Sequence, residues 1–399
     1  MQKKILFVDD EPNILAGLKR MLRNLQSSMD LHFLESGEAA LGFLATTPVD
    51  VIVTDMRMPG MDGATLLAIV QERYPQVVRF MLSGQSDRHA MLRAMPLVHQ
   101  FLTKPTSPET LRELLQRACL FKDLISDGAL KSLISRAGHL PSLPAVYADL
   151  MLKLQKPDPS IDEIAEIIEQ DLGMTAKILQ LVNSSFFDVQ RQIDKPAHAV
   201  RLLGMDLIKE LVLFVGIFKE IQPSLSDDLP LQTILHHSLK VANFARLITQ
   251  EEQQDKVVAN NAYLAGLLHD IGKLLLASIL GDSYSQALHL ARDKSLAYYQ
   301  AEHHEFHADH AAAGGYLLGL WGIPGPVVEA VAFHHQLQEY PTHSFNPAVA
   351  VHTADVFYHR LHPGSSDWPL PELSISSLQQ AGVMERVDHW FTLCKQFNT

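Results

Sequence analysis

A short run of β-branched residues that ends in a single carboxylate constrains the fold of this chain more than any other feature. The run is Val51-Ile-Val-Thr54, Asp55 follows it directly, and Pro59-Gly60 then turn the chain. Apolar runs of this length are typical of strands that are buried on both faces of a parallel sheet. We therefore expect Asp55 at the carboxyl end of a strand, which is the edge where open α/β sheets hold their sites.

Polar residues also follow three other predicted strands, of which two are Lys4–Val8 and Val78–Leu82 and the third ends near Leu102. In chain order these polar residues are Asp9, Asp10, Ser83 and Lys104. Right-handed crossovers bring the carboxyl ends of parallel strands to one edge, so these side chains should meet Asp55 there. Three carboxylates at one edge repel one another unless a hard divalent cation such as Mg²⁺ binds them. Lys104 and the Ser83 hydroxyl would then hold the oxygens of an incoming phosphoryl group.

Residues 1–121 resemble the receiver domain of two-component response regulators along their whole length. The resemblance implies a doubly wound, five-stranded parallel sheet of the flavodoxin-like type and phosphorylation of Asp55 by a cognate histidine kinase. It implies a Mg²⁺ site formed by Asp9, Asp10, Asp55 and the backbone carbonyl of Arg57. It also implies a conformational switch formed by Ser83, Phe101 and Lys104.

The composition of the chain limits its partners. Among 399 residues, Asp and Glu (45) outnumber Lys and Arg (33), and the formal net charge is −12. This charge argues against DNA or an anionic membrane as the main partner. Two cysteines form no disulfide framework, and the apolar run Ile5–Val8 is too short for a signal peptide. We therefore expect a cytoplasmic protein.

Beyond residue 121 the strand patterns nearly disappear. Residues 122–139 are predicted to form a helical connector whose apolar residues mediate homodimer contacts or pack on the following domain; these residues are Leu124, Leu130 and Leu133. Helical periodicity dominates residues 140–399 and predicts an all-α domain. Within it, Ser160 and Glu163 predict a capping box, and Lys256–Leu280 is predicted to be one helix.

Histidines are concentrated in this second region, since 17 of the 20 follow residue 125. The pair His269-Asp270 interrupts an otherwise apolar helix, where a buried charge needs either a bound metal or a mutual ion pair. The residues alone leave both alternatives open. Imidazole and carboxylate ligands from several helices would suit Fe, Mn or Zn better than Ca²⁺.

The segment His269-Asp270-Ile-Gly-Lys273 resembles the signature of the HD superfamily of metal-dependent phosphohydrolases. The resemblance implies that Lys273 binds substrate phosphate. It also implies a set of metal ligands, which are His237, His269, Asp270, His310, His334 or His335, and Asp355.

Several ordered motifs resemble one relative of this superfamily, the HDOD output domain: Leu140-Pro-Ser-Leu-Pro-Ala145, Asp171-Leu-Gly-Met-Thr-Ala-Lys-Ile-Leu179 and Ala199-Val-Arg-Leu-Leu-Gly204. This resemblance implies a regulatory domain that acts by binding a downstream signalling protein or a cyclic dinucleotide. The alternative is a phosphorylation-controlled phosphodiesterase similar to the HD-GYP branch, which cleaves cyclic di-GMP. That branch has a Gly-Tyr-Pro segment after its double histidine, whereas here His335 is followed by Gln336-Leu-Gln-Glu-Tyr-Pro341. The difference favours the regulatory interpretation.

Overall fold

The chain separates into two compact units, of which one comprises residues 1–145 with the short stretch 317–322 and the other comprises residues 146–316 and 323–399. The computed structural model describes residues 2–25, 28–74, 76–83, 94, 97–104, 106–109, 111–112, 114–115, 144–154, 159–182, 193–220, 231–321, 323–340, 344–362 and 371–398. The predicted connector at 122–139 and its apolar residues lie outside these ranges. The limits predicted for the two domains therefore stay predictions.

The N-terminal unit is a five-stranded parallel sheet with helices between the strands. The strands are β1 (Lys3–Val8), β2 (Met29–Leu34), β3 (Val51–Asp55), β4 (Val78–Ser83) and β5 (Gln100–Thr103). The described helices are α1 (Pro12–Met21), α2 (Gly37–Thr46) and α3 (Gly63–Arg73). The strand order is β2-β1-β3-β4-β5, and every neighbouring pair is parallel. The predicted doubly wound α/β fold is confirmed.

Register in this sheet places the polar residues at one edge. Val8 pairs with Thr54, so that Asp9 and Asp55 end adjacent strands, and Ser83 pairs with Thr103 just before Lys104. Gly63 opens α3 directly behind β3, and a Cβ at this position would overlap the carbonyl oxygen of Asp55. Glycine therefore lets α3 approach the strand end closely.

The C-terminal unit is all-α in its described residues. Its helices are α4 (Ala145–Leu154), α5 (Ile161–Glu169), α6 (Leu172–Val182), α7 (Pro196–Leu203), α8 (Met205–Glu220), α9 (Leu231–Glu251), α10 (Lys256–Leu268), α11 (Ile271–Leu280), α12 (Asp282–Lys294), α13 (Tyr298–Phe306), α14 (His310–Leu320), α15 (Gly325–Phe333), α16 (Pro347–Leu361), α17 (Ile375–Gln380) and α18 (Val387–Phe397). The capping box of Ser160 and Glu163 at the start of α5 is present, as predicted.

The segment predicted as one helix from Lys256 to Leu280 is instead two helices, and that prediction is wrong. Helix α10 ends at Leu268 with His269 as its C-cap, and Asp270 leaves the helical conformation with φ −96° and ψ 7° before α11 begins. The break directs both side chains toward the core, where they have polar partners. By length and composition this segment could cross a membrane, but 78% of its apolar window is buried within the protein.

Candidate functional site

The acidic edge of the sheet contains the first candidate site. Asp55 is the last residue of β3, and Asp9 and Lys104 follow β1 and β5. The Nζ atom of Lys104 lies 2.8 Å from Asp9 Oδ2 and 2.5 Å from Asp55 Oδ1. Three residues that are far apart in sequence thus form one ion-paired cluster, as the strand pattern predicts.

Backbone N–H groups also donate hydrogen bonds to the two carboxylates, Asp9 and Asp55. The N–H of Glu11 donates to Asp9 Oδ1, and the N–H of Arg57 donates to Asp55 Oδ2, each at 3.0 Å. Burial alone would lower the pKa of Lys104, but hydrogen bonds to Asp55 and Asp9 outweigh it and raise the pKa. The lysine therefore remains cationic beside Asp55, where it can stabilise negative charge on a bound phosphoryl group.

Four other predicted residues of this site are less fully placed. Asp10 is half-buried directly after Asp9, and its part in a Mg²⁺ site, like that of the Arg57 carbonyl, stays a prediction. Ser83 and Phe101 lie on the predicted strands β4 and β5. Their side chains fall outside the described part of the structure, so the switch assignment also stays a prediction.

The helical unit contains the second candidate site, where seven predicted side chains come together. Their ligand atoms form two sets, within each of which all atoms lie within 4.8 Å of one another. The first ligand group consists of Asp270, His310, His334 and His335, and the second ligand group consists of His237, His269 and Asp355. Both histidines of the pair after α15 therefore belong to the cluster.

Tautomers in the cluster are fixed by groups that can only accept hydrogen bonds. His269 Nδ1 lies 2.8 Å from the carbonyl oxygen of Gly266, and His334 Nδ1 lies 2.7 Å from that of Val331. Each Nδ1 must therefore carry the hydrogen, which leaves a lone pair on Nε2. Metal-bound histidines are oriented in this way by their second ring nitrogen.

The distances within the cluster are those of a shared coordination centre. The Nε2 atoms of His237 and His269 are 3.0 Å apart, and so are those of His310 and His335. Asp270 lies between the two groups, because its Oδ1 is 3.3 Å from His310 Nε2 and its Oδ2 is 3.5 Å from His269 Nε2. One carboxylate thus faces both ligand groups.

Several atoms of the cluster are buried without a hydrogen-bond partner among the described residues. They include His334 Nε2, Asp270 Oδ1 and Asp355 Oδ1. Leaving a buried acceptor unsatisfied costs about 1–3 kcal/mol, and more when the acceptor is charged. Converging acceptors with no donor fit a bound cation, so the residues present suit the metal that the HD signature predicts.

The protonation states mostly agree with metal ligation. Burial lowers the pKa of His237 to about 4. Burial, reinforced by neighbouring histidines, also keeps the pKa values of His334 and His335 well below the usual range. Burial would raise the pKa of Asp270, but His269 and Lys273 hold it well below normal. Neutral imidazoles and an ionised carboxylate are the forms that bind metals.

His310 differs from the other histidines because it lies between two carboxylates. Burial alone would lower its pKa, but Glu302, with Asp270, outweighs burial and raises the pKa to about 9. Glu302 Oε2 accepts from His310 Nδ1 at 2.6 Å, and Glu302 Oε1 accepts from the Tyr284 hydroxyl at 2.5 Å. A cation in the first ligand group would have to displace a proton from His310 Nε2.

Sequence reasoning missed three contacts of this cluster. The sequence assigns no role to Tyr284 or Glu302. His359 lies one helical turn after Asp355, with its Nε2 3.4 Å from Asp355 Oδ1. The i,i+4 spacing on one helix face could have identified His359.

Lys273 is engaged within the cluster. Its Nζ atom lies 2.7 Å from Asp270 Oδ2 and 4.9 Å from the centroid of the Tyr298 ring. Burial would lower its pKa, but the Asp270 carboxylate outweighs burial and raises it. The structure shows Lys273 as an ion-pair partner of Asp270, and its predicted phosphate contact stays a prediction.

A cavity of about 550 Å³ lies beside the first ligand group. His334 and His335 line one side, and Glu372 and Ser374 of the segment before α17 line another. The ring of Tyr299, also in the wall, stacks on His335 with centroids 4.7 Å apart. The cavity gives a small molecule access to one side of the cluster.

Comparison with known families assigns both units. The model of the response regulator receiver domain matches residues 5–116, and that of the HDOD domain matches residues 140–337. The chain therefore consists of an N-terminal receiver domain followed by a C-terminal HDOD domain, which is the domain composition of a response regulator. The family assignment predicted from the motifs is confirmed.

Individual relatives agree with this assignment. The crystal structure of an HDOD domain protein of unknown function from Geobacter sulfurreducens is 25% identical with a TM-score of 0.51, and the match covers 67% of this chain and 99% of that chain. An uncharacterized protein of Treponema pallidum (strain Nichols) is 23% identical over 53% of this chain and 40% of its own length. Response regulator protein PilR of Pseudomonas aeruginosa is 33% identical over 29% of this chain and 26% of its own length. The chain thus spans less than half of each of these two curated relatives.

The domain content also defines the general kind of partner and cofactor. A receiver domain interacts with a histidine kinase, and this domain content is typical of soluble signalling proteins. The receiver domain and the two ligand groups both indicate divalent-metal binding.

Proposed function

We propose that this protein is a cytoplasmic response regulator in which phosphorylation of Asp55 controls an HDOD output domain that acts by binding a partner. The observation that carries the proposal is Lys104, which contacts Asp9 and Asp55 at the same edge of the sheet. The partner of the output would be a signalling protein or a cyclic dinucleotide. The net charge of −12 argues against direct DNA or membrane binding.

The arrangement supports phosphoryl transfer to Asp55. A carboxylate oxygen of Asp55 would form a bond to phosphorus as the phosphorus–nitrogen bond of the kinase's phosphohistidine breaks. Lys104 stabilises the negative oxygens, and the Arg57 N–H keeps the second carboxylate oxygen oriented. Mg²⁺ held by Asp9, Asp10, Asp55 and the Arg57 carbonyl would supply further charge neutralisation.

The test is phosphorylation of full-length protein with acetyl phosphate or a kinase, followed by intact mass spectrometry. Asp55→Asn should abolish the added phosphoryl group, because an amide is not a nucleophile for this transfer. Asp62→Asn is the matched control, since Asp62 caps α3 on the same loop and asparagine also caps helices. Undiminished phosphorylation of the Asp55 variant would overturn the assignment of Asp55 as the phospho-acceptor.

A second candidate function is metal-dependent phosphohydrolysis, most plausibly of a cyclic dinucleotide, and the two ligand groups favour it. The seven ligands would hold Fe, Mn or Zn, and such an ion supplies a hydroxide nucleophile and charge neutralisation. The chain's own contribution is a buried set of Nε2 and carboxylate acceptors already aimed at a common centre. The missing Gly-Tyr-Pro segment makes the regulatory function the stronger candidate.

Metal content per chain, measured by plasma mass spectrometry on protein purified without chelator or affinity nickel, tests this site. We expect one or two ions in the wild type and none in His269→Ala/Asp270→Ala. The control pair His304→Ala/Glu305→Ala removes an exposed His–Glu contact of 2.9 Å and should leave the metal in place. Unchanged occupancy in the first variant would place the ligands elsewhere. Folded, metal-free wild-type protein would leave the cluster as an ion-paired core.

A further inference from the structure

The two ligand groups differ in how their side chains are held. In the first ligand group, His310 is anchored by a fully buried carboxylate, because Glu302 Oε2 accepts both its Nδ1 hydrogen at 2.6 Å and its backbone N–H at 2.8 Å. Tyr284 fixes the other oxygen of Glu302. In the second ligand group, His269 is anchored only by the neutral Gly266 carbonyl, and the buried His237 Nδ1 has no partner in the described ranges.

The carboxylates of the two groups are also unequally available. Asp270 uses Oδ2 for Lys273, while its Oδ1 has one imidazole neighbour, His310, whose Nε2 lies 3.3 Å away. Asp355 Oδ1, the carboxylate oxygen of the second ligand group, is approached by His237 at 3.2 Å and His359 at 3.4 Å. A cation there competes with two imidazole groups for the same oxygen, against one at Asp270 Oδ1.

We propose that the first ligand group is the high-affinity cation site, that the second ligand group fills later and exchanges readily, and that Glu302 with Tyr284 creates this difference. The inference rests on the metal-binding function proposed above. A carboxylate that accepts the Nδ1 hydrogen makes His310 Nε2 a stronger donor and fixes the ring, and loss of such a partner typically weakens binding about 10- to 100-fold. Glu302 and Tyr284 are therefore positioning residues.

The experiment is titration of full-length, chelator-treated protein with Co²⁺, followed by visible absorption and by bound metal after gel filtration. Wild type should bind in two steps. Glu302→Gln keeps the size of the side chain but removes its charge, and it should weaken the first step about 10- to 100-fold while leaving the second unchanged. His237→Ala is the matched variant, and it should remove the second step alone.

Tyr284→Phe covers the case in which Glu302→Gln fails to fold. It deletes one hydrogen bond to Glu302 and should weaken the first step about 5-fold, as expected for a change of roughly 1 kcal/mol. Circular dichroism checks that each variant is folded. A weakened second step in the Glu302 or Tyr284 variant, or loss of the first step in His237→Ala, would overturn the proposed order. If wild-type protein binds no Co²⁺, Zn²⁺ or Mn²⁺, the metal-binding function itself fails.

Discussion

The acidic edge of the receiver domain and the histidine cluster of the HDOD domain both hold carboxylates close together. The two sites differ in the groups that neutralise these carboxylates. In both, a lysine lies against carboxylates: Lys104 bridges Asp9 and Asp55, and Lys273 pairs with Asp270. At the sheet edge, each carboxylate also accepts a backbone N–H. In the cluster, Asp270 Oδ1 is buried with no hydrogen-bond partner among the described residues. The carboxylates of the edge are thus nearly satisfied by the chain itself, whereas the cluster leaves a buried acceptor that a bound cation would satisfy.

Removal of each lysine tests this difference between the sheet edge and the histidine cluster. Of the predictions made here, it has the largest expected effect on stability. Lys273→Met leaves a buried carboxylate with neither oxygen satisfied, and it should cost about 3–5 kcal/mol in metal-free protein. Lys104→Met leaves two carboxylates that each keep a backbone hydrogen bond, and it should cost about 1–3 kcal/mol. Urea unfolding followed by tryptophan fluorescence measures the HDOD domain, because all three tryptophans follow residue 320. Hydrogen exchange of β3 and β4 measures the receiver domain.

Added metal provides a second comparison of the two lysine variants. Mg²⁺ should restore much of the stability lost in Lys104→Met, since it neutralises the same two carboxylates. Zn²⁺ or Mn²⁺ should do the same for Lys273→Met. Equal losses in the two variants, or a larger loss in the receiver variant, would contradict the view that the cluster is the less self-sufficient site.

The two sites also differ in how far sequence could predict them. Asp55, Asp9 and Lys104 could be placed because strand ends in a parallel sheet share one edge, so that local patterns determine long-range neighbours. Helix ends have no such rule. The ligands of the cluster come from different helices, and hydrophobic periodicity does not specify how those helices pack. Only the resemblance to known motifs predicts that these ligands form one site.

Residues that support the ligands were harder still to predict. The contact of Tyr284 with Glu302 depends on how α12 packs against α13, which the pattern of either helix does not reveal. The break at His269-Asp270 was missed because apolar periodicity continues through Lys256–Leu280 and no proline or glycine marks the end of α10. Tertiary partners for the two polar side chains, rather than local propensity, end that helix.

A glycine beside each site provides the next test, with a smaller expected effect. A Cβ at Gly63 would overlap the carbonyl oxygen of Asp55, and a Cβ at Gly272 would overlap that of His310. Backbone cannot move aside easily, so each Gly→Ala change should cost about 1–3 kcal/mol. Gly63→Ala should slow phosphorylation of Asp55, and Gly272→Ala should lower metal content by moving Asp270 away from His310.

Gly42→Ala is the control for these variants. Gly42 lies in α2 with nothing within 4 Å of an added Cβ, so alanine should leave both functions unchanged and stabilise the helix by up to about 1 kcal/mol. Chemical denaturation, phosphorylation rate and metal content are measured on all three variants. If Gly272→Ala kept full metal content and stability, the close approach of α11 to the start of α14 would not be what assembles the first ligand group.

The last test concerns the pH dependence of stability and uses Glu210, a buried carboxyl of α8 outside the cluster. Burial raises its pKa to about 8, against 4.5 for an ordinary glutamate. Between these values the folded chain holds a proton that the unfolded chain releases, so this group makes stability fall as pH rises through that window and level off above about pH 8. The slope is at most about 1.4 kcal/mol per pH unit.

Glu210→Gln cannot ionise, so it should flatten this dependence and be more stable than wild type at pH 8. Tryptophan-detected urea unfolding at pH 6, 7 and 8 on metal-free protein is the measurement, and Glu339→Gln, at a surface position, is the control. The result bears on the comparison of the two sites. A flattened profile in Glu210→Gln would show that the ionisation of Glu210, a buried residue of the HDOD domain, causes the loss of stability as the pH rises. An unchanged profile would leave that pH dependence to other buried ionisable groups, which include the carboxylates and imidazoles of the histidine cluster.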